Sequence, residues 1–193
     1  MNRNKNIRSW RTWTRAALIG AAAALAFAAA PADARVNDES SSYYDEAKTY
    51  LQKGDVRSAI IHLKNAIRAD PQNVQARFDL ALLYLRGRDG PSEEKELKAA
   101  RDRGMEENNI LLPLAQAYAL QGKNEEILAE IKPDGRPPKL QAGVLAARGG
   151  AYVALKDLDK AEQSLDEAVK AAPDSPFVLL AFSQVLQARG KLK

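Results

Sequence analysis

The chain has 193 residues, 46% apolar and 28% charged, which is enough apolar material for one hydrophobic core and too much for a disordered or collagen-like polymer. Its formal charge of +4 sits in residues 1–34, where Arg3, Lys5, Arg8, Arg11 and Arg15 face a single Asp33. Taking those from totals of 29 basic and 25 acidic side chains leaves 24 of each, and a neutral remainder has no net long-range pull on a polyanion, which argues against nucleic acid as a partner. Cysteine is absent, so disulfides, thiolate metal sites, cysteine nucleophiles and a lipid-bearing cysteine are excluded.

Residues 1–34 have the grammar of a cleavable signal peptide: five cations, an uncharged stretch from Ala16 to Ala30, then Pro31 and the small-residue site Ala32-Asp33-Ala34. Cleavage is expected after Ala34. An uncleaved anchor or a mitochondrial transit peptide is the alternative. The apolar stretch is too short to span a bilayer, so stable membrane insertion after cleavage is not expected. No twin-arginine pair is present, which favours the general secretory route. The product is expected to be a soluble exported protein.

Residues 35–39 read as a short tail, and beyond them the sequence repeats. Tyr50, Tyr84, Tyr118 and Tyr152 recur at one fixed interval of about 34 residues, with Leu186 at the next step. Leu63, Leu97, Ile131 and Leu165 keep the same interval, as do Ala47, Ala81, Ala115, Gly149 and Ser183. The units are 40–73, 74–107, 108–141 and 142–175, with a final helix over 176–189. In the first unit Tyr43, Ala47 and Tyr50 share one helical face. A turn follows at Lys53-Gly54-Asp55, where glycine can end one helix in the left-handed conformation and aspartate can cap the next. Ala59, Leu63 and Ala66 then stripe a second helix, which Asp70-Pro71 stops. Each unit is thus predicted to be a helical hairpin. A lone hairpin cannot bury enough apolar surface to fold, so each must stack on its neighbours.

The pattern resembles the tetratricopeptide repeat (TPR), whose small eighth residue, aromatic eleventh, alanines at twenty and twenty-seven and proline at thirty-two are matched by Ala47, Tyr50, Ala59, Ala66 and Pro71. The fourth unit matches through Gly149, Tyr152, Ala161, Ala168 and Pro173. The resemblance covers residues 40–193 and implies an all-α fold, a right-handed α-solenoid of antiparallel helix pairs. In unit two Glu93 replaces the small residue at position twenty, and Met105 the proline. In unit three Ile127 takes position twenty, and Pro133-Asp134-Gly135-Arg136-Pro137-Pro138 should end the second helix near Lys132. The register survives into unit four, so 133–138 reads as an ordered crossing or hinge, with a domain linker as the alternative. After the final helix Phe177, Leu180 and Phe182 have no following helix to cover them. Either that helix is a cap or the chain is the front portion of a longer protein, the second being the expectation.

No active site is expected. His62 is the only histidine, with no metal-ligand or relay spacing, and reads as a partly solvated helix side chain. Glu93-Glu94, Glu106-Glu107 and Glu125-Glu126 are adjacent on helices, so they point about 100° apart and read as helix starts and solvated faces rather than acid–base pairs. The glycine-rich pieces lack the strand and lysine of a phosphate loop. Catalytic residues, cofactors and metals are therefore not expected.

In the TPR family the concave face is formed by the second, fifth, sixth, ninth, twelfth and thirteenth residues of each unit. That implies a protein-binding groove containing Tyr44, Lys48, Phe78, Asp79, Leu82, Asn109, Leu112, Gln116, Gly143, Ala147 and Gly150, the alternative at each position being packing within the superhelix. Tyr44 and Asp79 occupy two places where chaperone-tail receptors carry a clamp of lysines and asparagines, so a carboxylate-tail receptor is not implied.

A narrower likeness lies in Leu114-Ala115-Gln116-Ala117-Tyr118 through Glu130-Ile131-Lys132-Pro133-Asp134-Gly135 and in Ala59-Ile60-Ile61-His62-Leu63-Lys64-Asn65-Ala66. These stretches are similar to the front end of repeat proteins of exopolysaccharide-export and PEP-CTERM sorting systems. That likeness implies an exported scaffold in the periplasm or cell envelope of a bacterium, whose groove takes a peptide or helix of an envelope component. The alternative is a protein that binds or processes the exported polysaccharide, for which Tyr43, Tyr44 and Phe78 are the available aromatic platforms.

Overall fold

In the computed structural model residues 32–190 are described, so the predicted leader lies outside the described residues except for its last three positions. The chain divides into two compact units, 1–35 and 36–193. The packing below belongs to the second. The helices are α1 (Ala32–Gln52), α2 (Val56–Ala69), α3 (Val74–Arg86), α4 (Gly90–Arg101), α5 (Glu107–Leu120), α6 (Asn124–Glu130), α7 (Pro138–Ala154), α8 (Leu158–Ala171) and α9 (Pro176–Ala188). No strand occurs among the described residues. Residues 35–39, expected as a tail, are instead helical within α1. They include no helix breaker, and Ser40 just beyond anchors that end by donating from Oγ to the Ala66 carbonyl of α2 at 3.0 Å.

The hairpin turns repeat with the sequence. Gly54, Arg88, Gly122 and Lys156, each one repeat interval after the last, all take a positive φ, of 77°, 57°, 70° and 64°. One left-handed residue reverses the chain so that the next residue can cap the second helix. Asp55, Asp89 and Asp157 do so, their carboxylates accepting from the backbone N–H of Ser58, Ser92 and Lys160. In unit three the capping position is Lys123, which makes no side-chain cap.

Helices pack within each hairpin (α3 on α4, α7 on α8) and between hairpins (α2 on α3, α4 on α5, α6 on α7, α8 on α9). The first helices of neighbouring units also touch, α3 on α5, α5 on α7 and α7 on α9. This is the stacking that the repeat requires, and the small residues predicted to allow it, Ala47, Ala59, Ala81, Ala115 and Ala161, are all buried. Lysines add a second device. Lys64 lies over the Tyr84 ring at 5.8 Å and Lys98 over Tyr118 at 5.3 Å, each reaching from the second helix of one hairpin to the first helix of the next.

The third junction departs from this scheme. α6 has seven residues and ends at Glu130, two short of the expected Lys132. Lys132, which holds the equivalent place before Tyr152, turns back to donate to the Leu128 carbonyl at 2.9 Å, and Tyr152 is covered by Lys160 of its own hairpin. Arg148 of α7 instead closes the end of α6, its Nη1 donating to the Leu128 and Ile131 carbonyls at 2.8 and 3.1 Å. Arg136, inside the proline-rich segment, donates to Asn108 Oδ1 and Glu107 Oε2 at the start of α5.

Glu93 contradicts the expectation of a solvated face. It is 0% exposed, and neither carboxyl oxygen accepts a hydrogen bond. Position twenty of the repeat faces inward whichever residue fills it, and here a glutamate is carried into the packing of α4 against α3 and α5.

Candidate functional site

Because the first helices of successive hairpins lie side by side, residues at equal repeat positions form rows across α1, α3, α5, α7 and α9. Among the described residues, hollows open at two places on this surface. The first, about 320 Å³, lies between α1 and α3 and is lined by Lys48, Leu51, Asp79, Leu82 and Arg86 among others. The second, about 430 Å³, runs over α5, α7 and α9 and includes Gln116, Ala147 and Gly150.

At the wall of the first hollow Asp79 is held in place: the Tyr44 hydroxyl donates to its Oδ2 at 2.6 Å, and Gln75 Nε2 donates to its Oδ1 at 2.9 Å. Burial, the hydrogen bond to Asp79 and the charge of Asp79 all push the Tyr44 phenol above its ordinary value, so it stays a neutral donor. Lys48 Nζ stands 5.5 Å from the centre of the Tyr44 ring. This is a polar, cross-braced end with Lys48 and Arg86 exposed to solvent.

The second hollow has a different chemistry. Its floor is Ala146, Ala147, Gly150 and Ala154 on α7, and its far wall is Phe177, Leu180 and Ala181 on α9. Phe177 is 50% exposed and Leu180 59%. The polar groups at its border are the carboxamides of Gln116, Asn124 and Gln184, and no lining residue is charged. The α9 wall is missing from the groove expected on sequence, although the same repeat interval carries Gly143, Ala146, Ala147 and Gly150 onto Phe177, Leu180, Ala181 and Gln184.

The remaining expected groove residues are placed otherwise. Phe78 and Leu112 are half-buried against the central core cluster. Gly143 is buried, and a β-carbon on it would lie 3.0 Å from Leu112 Cδ1, so these two close on each other inside the solenoid instead of lining the opening. Asn109 is exposed near the start of α5, with its Nδ2 4.0 Å from Met105 Sδ.

Several titratable groups are taken up in structural contacts. His62 Nδ1 lies 2.7 Å from Glu46 Oε2, and its ring stacks on Tyr50 with centroids 4.9 Å apart, which joins α2 to α1. Glu94 collects Lys98, Lys123 and Gln121 at 2.6–2.8 Å. Among the described residues no group of three or more histidine, aspartate or glutamate side chains could hold a metal ion, and no helix is long and apolar enough to cross a membrane.

Stacked helical hairpins with an open face built from their first helices define a helical-repeat solenoid. Two family models, each described as tetratricopeptide repeat, match residues 44–108 and 142–175, which together make up just over half of the chain. The chain belongs to the tetratricopeptide-repeat family. Among solved structures it is similar to a tetratricopeptide repeat protein from Parabacteroides merdae ATCC 43184, with a TM-score of 0.63 at 21% identity over 80% of this chain and 61% of that one. It is also similar to Pseudomonas aeruginosa pilF, with a TM-score of 0.62 at 19% identity over 81% and 72% of the two chains. A third likeness is to a thermophilic TPR protein in Thermus thermophilus, with a TM-score of 0.58 at 20% identity over 79% and 84%. The chain thus spans under two thirds of the Parabacteroides protein, and at these identities the likeness is one of fold. No curated protein matches the chain.

Proposed function

We propose that this chain is an exported, non-catalytic scaffold that holds protein partners on the face built from its first helices, in envelope assembly, exopolysaccharide export or protein sorting. The observation that carries the reading is the open apolar groove over α5, α7 and α9, in which Phe177 and Leu180 stay half or more exposed above a floor of small residues. Large apolar side chains at the edge of a concave surface are covered by a following helix of the chain or by a partner, and the floor of small residues on α7, a full unit in from α9, favours a partner. Export rests on the composition of residues 1–34, and the envelope role on the narrower sequence likeness.

A polysaccharide-binding role is supported less well. Such a site needs exposed aromatic platforms with carboxylates nearby, whereas Tyr43, Tyr44 and Phe78 are all half-buried, Tyr44 is tied to Asp79, and the exposed Phe177 lies in a groove lined by no charged residue.

The test is affinity capture from an envelope extract with the wild-type chain and with Leu180→Asp. A protein retained by the wild type and lost with the variant supports the reading. Recovery of polysaccharide without protein, or of the same protein by both baits, overturns it. Fractionation with N-terminal sequencing checks export, the expected first residue being Arg35.

A further inference from the structure

α7 contains three glycines in its interior, and the fold explains two of them. A β-carbon on Gly143 would meet Leu112 Cδ1 at 3.0 Å, and one on Gly149 would meet Leu165 Cγ at 2.9 Å. Gly150 has no such reason, because a β-carbon there would find no atom within 4 Å. Glycine inside a helix is disfavoured relative to alanine, and at this position the chain recovers nothing through its own packing. The space left open is the floor of the α5–α7–α9 groove.

Two further features define what fits there. The groove's lining includes no charge in a chain that is 28% charged, so a charged residue entering it would be desolvated without a counter-charge. An extended segment would also bring a row of backbone N–H and C=O groups that the carboxamides of Gln116, Asn124 and Gln184 are too few to pair, whereas a helix satisfies its own.

We propose that Gly150 is the point of closest approach for the backbone of an uncharged apolar helix of a partner protein, which lies along α7 with Phe177 and Leu180 closing its far side. This rests on the reading of the groove as the protein-binding face and names the class of segment it takes.

The test uses the full chain and two labelled, end-blocked synthetic helical peptides. One carries alanine and leucine on one face and glutamine elsewhere. The other is the same with one glutamate and one lysine set into the apolar face. The neutral peptide is expected to bind, and the charged-face peptide to bind at least about tenfold more weakly. Gly150→Ala is expected to raise the melting temperature by about 2–4 °C, which shows that the variant folds, and yet to weaken the neutral peptide several-fold. Gly150→Leu should abolish its binding. Equal affinity for both peptides, no binding of the neutral one, or a stabilised Gly150→Ala that binds as tightly as wild type each overturns the proposal. These outcomes are separable from failure of the scaffold reading, which is read from whether capture of an envelope protein depends on Leu180.

Discussion

Glu93 and Glu94 are neighbours on α4 whose carboxyls meet opposite environments. Glu93 is wholly buried and unpaired, and burial raises its pKa to about 7. Burial also acts to raise that of Glu94, but hydrogen bonds from Lys123, Lys98 and Gln121 outweigh it and bring the pKa down to about 2. One helix therefore carries both signs of pH dependence.

For Glu93 the folded pKa lies above the unfolded value of 4.5, so the folded state holds the proton more tightly. Stability is greatest below about pH 4.5, falls as pH rises to about 7 and is level above that, by on the order of 3 kcal/mol. For Glu94 the folded pKa lies below the unfolded one, so its contribution is present above about pH 4.5 and is lost as pH falls toward 2. Thermal unfolding from pH 3 to pH 8 should show a maximum near pH 4.5–5. In Glu93→Gln the decline toward neutral pH should disappear while the acid limb remains. An unchanged decline in that variant would assign it to another group.

Arg88 and Lys156 hold the left-handed position that Gly54 and Gly122 fill without strain. A side chain at positive φ costs about 1 kcal/mol or more, so Arg88→Gly and Lys156→Gly should each raise stability by about 0.5–1 kcal/mol in chemical denaturation. Gly54→Ala should lower it, even though a β-carbon there would meet no neighbour.

Gly149→Ala is expected to be destabilising by about 1–3 kcal/mol, since Leu165 is fully buried and has nowhere to retreat from a new methyl group. Urea midpoints measured on Gly149→Ala and Gly150→Ala should therefore move in opposite directions, although the two glycines adjoin.

Arg148→Ala removes the guanidinium that closes α6, leaving the Leu128 and Ile131 carbonyls without that donor. A loss of about 2 kcal/mol is expected, with faster proteolytic cleavage within 131–137. Both bonds come from the single Nη1, so Arg148→Lys, whose ammonium also carries more than one donor, should recover part of the loss.

The repeat interval alone lays out the hairpins, their capped turns and the small residues between them, because packing in a stacked array dictates which positions must be small. It says less about positions that vary. Glu93 reads as solvated because acidic pairs usually are, and only its place at repeat position twenty hints that it is carried inward. Arg88 and Lys156 give no local sign of a left-handed backbone, although their spacing from Gly54 and Gly122 does. Gly143 and Gly150 occupy equivalent-looking groove positions and are separated only by where Leu112 falls. The α9 wall is legible by extending the same interval by one unit.

The two-turn α6 makes the array unequal along its length. In a stack of hairpins each junction contributes its own share of cohesion, so a long second helix resists separation and a short one concedes it. The junction between the third and fourth units forgoes the lysine–tyrosine contact of its predecessors and is held by the apolar packing of α5 and α6 on α7 with one guanidinium closing α6, so under mechanical load removal of that guanidinium should weaken this seam more than those on either side of α4.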